Sequence, residues 1–305
     1  LAAPIKAAQL DLGQVVNVAE AFSAITHSCM AHLQANEAGF LQGKDPEYLH
    51  QMRVAVRRMR ACFSLFRPVL PQTAFAAILA ELGRQGAALS AARDWDVFLY
   101  ETLRALRAQR ATDAALTAFE RRSARLRRAH LRAAQEVVAS AAWQGLWLEL
   151  GRLLADGAWA EGQPALAMPA GGFSAELLQR RAAVLEKRGR HLDRLDAAGR
   201  HRLRIAAKKL RYAAEFFEAL YPKKHVRPYV HSLAQVQQVL GGLNDASTSL
   251  RLLSEAFAGA RLPDPLVEGM IQGWSAAATH LQLDALGPAW DHWQRQKPFW
   301  ISNKT

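Results

Sequence analysis

Two basic segments with the same residue spacing carry the side chains that could do chemistry in this sequence. LHQMRVAVRRMRACFSLFRPVLP occupies positions 49–71, and RHRLRIAAKKLRYAAEFFEALYP occupies positions 200–222. A histidine and a series of arginines and lysines fall at equivalent positions, 151 residues apart. The shared positions are His50, Arg53, Arg57 and Arg60 in the first segment and His201, Arg204, Lys208 and Arg211 in the second. Arginine binds phosphate or carboxylate through parallel hydrogen bonds, so both segments indicate anion recognition.

The spacing places each set on one side of a helix. At about 100° per residue, the four positions of a set lie within about 80° of one another, and a set is about 15 Å long. We call these sets the first and second basic stripe. The opposite side of each helix is apolar, with Met52, Ala55, Val56, Met59, Phe63 and Phe66 in the first and Leu203, Ala206, Leu210, Ala214 and Phe217 in the second. Arg58 and Lys209 lie about 80° to the other side of the histidine and are expected to flank the stripes.

The stripes place like charges at successive helical turns. No acidic residue occurs between Leu49 and Pro71, and each like-charged pair is unfavourable by a few tenths of a kcal/mol. Carboxylates from other helices could offset this repulsion, and the candidates are Asp94, Asp96 and Asp245. A bound anion could do the same. An ordinary solvated helix face is the simpler alternative, but the repetition of the pattern favours anion binding.

The stripes suit a chain of phosphates that carries no bases. Only Tyr212 lies near a stripe, whereas proteins that bind single-stranded nucleic acid stack bases on aromatic rings. Duplex readers place Asn, Gln or Arg on a recognition helix. The histidine of each stripe adds a donor whose charge develops below about pH 6.5. A packing role is the alternative for His50 or His201 alone.

The elements that position the stripes are predicted to be helices throughout. Apolar residues recur every three or four positions, and Asp45-Pro46 and Asp264-Pro265 are typical helix starts. The offset of 151 continues beyond the stripes, because Leu89 and Asp94 in LSAARDWDV match Leu240 and Asp245 in LGGLNDAST. We interpret this as an internal duplication. The predicted organisation is a first helical half over 14–156, a Gly- and Pro-rich linker over 157–172 and a second helical half over 173–300.

Composition limits the class of protein. The 305 residues carry a net charge of +12, and 30 of the 39 basic residues are arginine. A nucleic-acid-binding protein is the alternative that this charge supports. No run approaches the roughly 18 apolar residues of a membrane-spanning helix, and no signal peptide is evident, so a cytoplasmic location and no membrane partner are expected. Cys29 and Cys62 are expected to be buried thiols, with a single disulfide as the alternative.

Further basic residues could extend the site. Arg121, Arg125, Arg128 and Arg132 share one side of a predicted helix, which we call the third stripe. Its counterparts in the second half are not basic, so a solvated face and an extension of the site are equally good interpretations. Arg84 and Arg93 follow the first stripe and could point toward it. Arg93, Arg84 and Arg132 are therefore predicted as secondary binding residues.

The sequence lacks the motifs of common catalytic and metal sites. It contains no zinc-ligand spacing, no His-Asp dipeptide and no acidic cluster on the stripe helices. We therefore expect no enzyme, no metal and no cofactor. A metal-dependent phosphoanhydride hydrolase is kept as the less favoured alternative.

The segments EYLHQMRVAVRRMRACFSLFRPVLP, RHRLRIAAKKLRYAAEFFEALYP, ARDWDV, LNDAS and KPFW resemble the CHAD family, the histidine-containing α-helical domain, over about Val15 to Trp300. The resemblance implies an all-α fold, two related antiparallel helical bundles forming one domain around a basic central cavity. It also implies binding of inorganic polyphosphate at polyphosphate granules without catalysis. The binding residues it implies are the two stripes, with Arg58 and Lys209 as secondary positions.

The N-terminal APIKAAQL resembles the joint that follows a CYTH (triphosphate-tunnel) domain in fused members of that family. The chain starts at Leu1 rather than Met, which is typical of a piece of a longer protein. A fused or associated CYTH domain is therefore expected as a partner. The E-x-E-x-K motif of CYTH domains is not in this sequence, so no triphosphatase activity is predicted for the chain.

Overall fold

A computed structural model describes residues 2–43, 45–109, 113–258 and 264–301 of the chain. Within these ranges the protein is all-α, as predicted, and contains no β-strand. The helices are α1 (Val18–Gln42), α2 (Pro46–Phe66), α3 (Gln72–Val97), α4 (Arg104–Gln109), α5 (Ala114–Val138), α6 (Ala141–Asp156), α7 (Ala170–Gly189), α8 (Ala197–Phe217), α9 (Lys223–Phe257) and α10 (Pro265–Gln294). A π-helical segment, Phe98–Leu103, joins α3 to α4.

Side-chain caps fix where several of these helices begin. The Asp45 carboxylate accepts a hydrogen bond from the backbone N–H of Glu47 at 2.8 Å, and Pro46 takes the first helical position of α2. Asp264 and Pro265 start α10 in the same way. Asp196 caps α8 by accepting from the N–H of Gly199 at 2.6 Å. Such caps satisfy backbone donors that lack a partner within the helix, and both predicted Asp-Pro starts are confirmed.

The positions of the helices repeat along the chain. Helices α2 and α8 each have 21 residues, and their first and last residues are 151 positions apart. The starts of α3 and α9, and those of α5 and α10, are also 151 positions apart, whereas the starts of α1 and α7 differ by 152. This regular spacing is what an internal duplication requires. It allows each residue of one half to be compared with a counterpart in the other.

One large apolar core receives side chains from both halves. Phe66 of α2 lies in it, with its ring centroid 5.4 Å from that of Phe22, 5.1 Å from that of Phe173 and 6.0 Å from that of Phe217. Phe217 is the counterpart of Phe66 on α8. The two stripe helices therefore pack against each other at equivalent residues, and this contact fixes the relative positions of the two stripes.

The segment 157–172, expected to be a linker, is packed against the core. Gly157 ends α6 in the left-handed conformation, with φ of +74°, which glycine adopts without steric penalty. Trp159 and Leu166 are buried, and the Trp159 ring centroid lies 5.3 Å from that of Phe22. Helix α7 begins at Ala170, inside the segment. The connection between the halves is therefore held in place by its own apolar side chains.

A second, smaller apolar cluster joins the end of α3 and the π segment to α5, α9 and α10. Its members include Trp95, Phe98, Phe119, Leu252 and Ile271. Among the described residues, no helix is both long and apolar enough to cross a membrane.

Replacing Phe66 by alanine tests the contact between the two stripe helices. Phe66 is fully buried, and truncation of a buried Phe to Ala removes about 3–5 kcal/mol from the free energy of unfolding. We expect that loss in urea titrations followed by circular dichroism. Leu148→Ala is the control, because the Leu148 side chain is 74% exposed. Equal effects of the two substitutions would contradict the packing described here.

Candidate functional site

A basic cavity of about 480 Å³ lies between the two stripe helices. Its lining residues come from α2 and α8, from the end of α3 and the π segment, and from α9. Six basic side chains line it: Arg53, Arg57, Arg93, Arg204, Lys208 and Arg211. Three acidic side chains line it as well: Asp94, Glu101 and Asp245. The lining therefore carries an excess of positive charge, which favours an anionic ligand.

The amphipathic pattern of α2 and α8 positions these cations. Met52 and Leu203 are fully buried in the large core, so the opposite side of each helix turns away from it. The charge of Arg57 lowers the pKa values of both Arg204 and Lys208, after the larger effect of burial. The two stripes are therefore close enough to interact across the cavity. Of their eight residues, six line it: His50, Arg53, Arg57, Arg204, Lys208 and Arg211.

Carboxylates compensate only part of this charge. Asp94 lies 3.7 Å from the Arg53 guanidinium and 2.9 Å from that of Arg251 on α9. Within the described ranges, Arg57, Arg204 and Lys208 have no carboxylate within 4.0 Å. Of the three aspartates considered as counter-ions, Asp94 and Asp245 line the cavity, whereas Asp96 lies elsewhere and accepts from Arg127 at 2.5 Å.

Several buried nitrogens in the stripes lack a hydrogen-bond acceptor. In the described part of the chain, the Nε atoms of Arg53, Arg57 and Arg204 are buried without a hydrogen-bond partner. Most buried polar groups in proteins are hydrogen-bonded, and an unpaired one is unfavourable by about 1–3 kcal/mol. An oxyanion with several acceptor oxygens matches this set of donors.

Burial and neighbouring cations together give Lys208 an unusual acidity. Its pKa falls from 10.5 to about 7, chiefly through burial and then through the charges of Arg204, Arg57 and Arg53. Burial also lowers the pKa of Arg53 and raises that of Asp94. Without an anion, Lys208 is therefore only partly protonated at neutral pH, and a bound anion would favour its ammonium form.

The two histidines lie in different environments. His50 lines the cavity, and burial, followed by the charge of Arg93, lowers its pKa. At neutral pH it is therefore an uncharged imidazole, and its charge develops at lower pH than the sequence suggested. His201 is exposed and lines a separate hollow of about 190 Å³ together with Arg204 and Asn244, which also line the main cavity. His201 is thus at the border of the cavity.

The helical architecture is shared with known proteins. The family model described as the CHAD domain matches residues 24–281, which is most of the chain. The chain belongs to the CHAD domain family. The resemblance noted in the stripe segments and in the ARDWDV and LNDAS segments is thereby confirmed.

Two solved structures have the same fold as this CHAD domain. The crystal structure of the CHAD domain from the plant Ricinus communis is 35% identical, with a TM-score of 0.82 over 94% of this chain and 96% of that chain. PptA from Streptomyces chartreusis is 15% identical, with a TM-score of 0.67 over 90% of this chain and 99% of that chain, and shows the fold alone. A comparison with curated proteins gave no match.

Some residues predicted for the site lie outside the cavity lining of this CHAD domain. Arg60 is exposed. Arg84 is 74% exposed and pairs with Glu81. Arg132 is exposed on α5, as are the other members of the third stripe. Arg93, in contrast, lines the cavity as expected.

The flanking residues Arg58 and Lys209 also lie outside the lining, on the sides of their helices. The Arg58 guanidinium lies 3.7 Å from the Glu215 carboxylate and 5.3 Å from the centroid of the Phe216 ring. Glu215 also lies 3.2 Å from Arg211. One carboxylate therefore forms ion pairs both with Arg58, which flanks the stripe, and with Arg211, which lines the cavity. Lys209 is half-buried on the side facing α7.

Apart from Asp245, the residues of α9 and of the π segment that line the cavity were not predicted. Gln237, Gln238, Gly241 and Thr248 of α9 and Glu101 of the π segment line the cavity. The Gln237 side chain also donates to the carbonyl of Ala207 at 2.8 Å, which ties α9 to α8. The spacing of three and four residues on either side of Asn244 and Asp245 marks this face in the sequence.

No group of three or more His, Cys, Asp or Glu side chains within the described ranges could hold a metal ion. Cys29 and Cys62 are both buried and free, so the disulfide alternative is wrong.

Proposed function

We propose that this CHAD domain is a binding module for inorganic polyphosphate, which it holds in the cavity between the two stripes. The observation that carries the proposal is the set of facing Arg and Lys side chains, three of which have no carboxylate partner among the described residues. Polyphosphate is a linear chain in which every unit presents charged oxygens. It therefore matches a cavity that is lined by cations from both stripe helices.

The cavity suits phosphates better than nucleotides. Its aromatic lining residues, Phe98 and Tyr212, are only 1% and 4% exposed. Such rings present little surface on which bases could stack, and stacking is a main source of affinity for single-stranded nucleic acid. A nucleic-acid ligand would therefore bind this site through its backbone alone and more weakly than polyphosphate.

Binding would proceed by replacement of counter-ions and completion of hydrogen bonds. The guanidinium groups of Arg57 on α2 and Arg204 on α8 would each donate to phosphate oxygens. The negative charges of Asp94 and Glu215 would hold the Arg53 and Arg211 guanidinium groups in place as ion pairs. Lys208 would take up a proton as the anion enters, because the anion stabilises its ammonium form.

We propose binding without catalysis, in line with the family resemblance. The Asp94 carboxylate already forms ion pairs with two arginines, so we assign it to the positioning of these arginines rather than to a metal ion. We further propose that the domain associates with polyphosphate granules in the cytoplasm. A fused or associated CYTH domain belongs to the same proposal.

The salt dependence of binding and competition with an oligonucleotide test this function. We expect the logarithm of the association constant for long-chain polyphosphate, measured by calorimetry, to fall linearly with the logarithm of the salt concentration. The slope should be roughly −0.7 to −0.9 for each phosphate that the protein neutralises. Polyphosphate should displace a fluorescent oligonucleotide at a much lower phosphate concentration than the oligonucleotide needs to displace polyphosphate. The reverse order would favour the nucleic-acid alternative, and phosphate release with Mg²⁺ or Mn²⁺ would favour the hydrolase.

A further inference from the structure

The flanking residues Arg58 and Lys209 are counterparts with opposite surroundings. Arg58 is neutralised by Glu215 and covered by the ring of Phe216. At the offset of 151, the counterpart of Glu215 is Ser64 and that of Phe216 is Leu65. Lys209 therefore lacks both the carboxylate and the aromatic ring that hold Arg58.

Further cations replace the missing carboxylate. Arg67 stands where the second half has Glu218. Arg181 stands on α7 where α1 has Cys29, since these helices start 152 positions apart. The Arg181 guanidinium donates to the carbonyl of Ser64 at 3.5 Å, which places it beside the end of α2. The surroundings of Lys209 therefore contain basic residues where those of Arg58 contain an acidic one.

Few carboxylates of the protein neutralise the positive charges around Lys209. Within the described residues, neither Arg181 nor Lys209 has a carboxylate within 4.0 Å, and the buried Nε atom of Arg181 has no acceptor. Burial, followed by the charges of Arg181, Arg188 and Arg67, lowers the pKa of Lys209. Arg188 continues the basic surface into a hollow of about 450 Å³, where Lys187 and Arg202 join it and no acidic side chain contributes to the lining.

We propose that Arg67, Arg181, Arg188 and Lys209 form a second anion site, which we call the outer cluster, and that it binds an oxyanion of the phosphate type. It is separate from the cavity, because Lys208 and Lys209 point about 100° apart around α8 and none of the four residues lines the cavity. The bound oxyanion neutralises the Lys209 ammonium, as the Glu215 carboxylate neutralises the Arg58 guanidinium. This proposal does not depend on what occupies the cavity.

Pyrophosphate titrations of two charge-matched variants test the outer cluster. The outer variant is Arg181→Gln with Lys209→Gln, and the cavity variant is Arg57→Gln with Lys208→Gln. We expect calorimetry to show two pyrophosphate sites in the natural chain. The cavity variant should keep the outer one, and the outer variant should lose it with at least a tenfold drop in affinity. An outer variant that keeps both sites at unchanged affinity would overturn the proposal, whatever happens in the cavity.

Ser64→Glu provides a second test, because it supplies the carboxylate that the other half already has. We expect this variant to lose pyrophosphate binding at the outer cluster and to melt at a higher temperature, since the introduced carboxylate would neutralise Lys209 and Arg181 from within. Unchanged binding together with an unchanged melting temperature would contradict the proposal.

Titration with long-chain polyphosphate then distinguishes whether the outer cluster binds part of a polyphosphate chain or a separate small anion. If one chain spans both sites, the outer variant binds it more weakly and with a shallower salt dependence than the natural chain does. If the outer cluster takes separate small anions, long-chain affinity stays within twofold. Either result is consistent with an anion site at the outer cluster, provided that the outer variant has lost one pyrophosphate site in the titration above.

Discussion

A variant in which Arg53, Arg57, Arg204 and Lys208 are all replaced by alanine will bind long-chain polyphosphate at least about a thousandfold more weakly than the natural chain. A hydrogen bond to a charged group contributes about 1.5–3 kcal/mol, and each 1.4 kcal/mol is a tenfold change in affinity. Even with strong non-additivity among neighbouring cations, four such losses exceed three decades. Isothermal titration calorimetry at fixed ionic strength measures the change.

The same variant should remain folded. Its four positions lie opposite the apolar faces of α2 and α8, and only Arg53 has a carboxylate within 4.0 Å in the described part of the chain. Removing like charges from a half-buried cavity also relieves repulsion. We therefore expect an unchanged helical spectrum and a melting temperature that is equal or higher. A melting temperature lowered by more than a few degrees would mean that the cations serve the fold.

The third stripe supplies a control with the same change in charge. Arg121, Arg125, Arg128 and Arg132 are all exposed on α5 and outside the cavity lining. Replacing these four by alanine should weaken polyphosphate binding by less than about tenfold, because exposed charges act at long range and are screened by salt. Equal losses in the two variants would show that net charge, rather than the cavity, determines the affinity.

The apolar periodicity of the sequence was enough to predict the fold class and the orientation of the stripes. Six stripe residues line the cavity because their opposite faces are buried, and that relation is local to each helix. The flanking position of Arg58 and Lys209 followed from the same helical geometry. These features depend on neighbours within a few turns, so they can be worked out from spacing alone.

What spacing could not predict is the asymmetry between the halves. Arg60 and Arg211 have the same angle on their helices, yet only Arg211 lines the cavity. The opposite walls differ, because α3 passes into a π segment at Phe98 whereas α9 continues without a break to Phe257. The polar face of α9 also looks like an ordinary solvated face until its neighbours are known. Contacts between distant segments decide these points.

Raising the pH from 6 to 9 should weaken polyphosphate binding by at least about tenfold, with most of the change above pH 7. The free domain holds Lys208 with a pKa of about 7, whereas the bound polyanion raises that value. Binding is therefore coupled to proton uptake, and affinity falls as the proton is lost from the free form. His50, whose pKa is lowered, is already neutral over most of this range.

Unfolding at high pH does not explain such a loss. Lys208 has a lower pKa in the folded chain than its ordinary 10.5, so the unfolded chain binds the extra proton between about pH 7 and 10.5. The contribution of Lys208 to folding stability therefore rises with pH over this range, while its contribution to binding falls. Thermal melts at each pH separate the two effects.

Lys208→Arg is the matched control for the pH dependence. Arginine keeps the positive charge and stays protonated up to pH 9, so the affinity of this variant should change by less than about threefold between pH 6 and 9. Proton uptake on binding, measured by calorimetry in buffers of different ionisation enthalpy, should vanish as well. If the natural chain and Lys208→Arg show the same pH profile, Lys208 does not titrate on binding and the anion does not contact it.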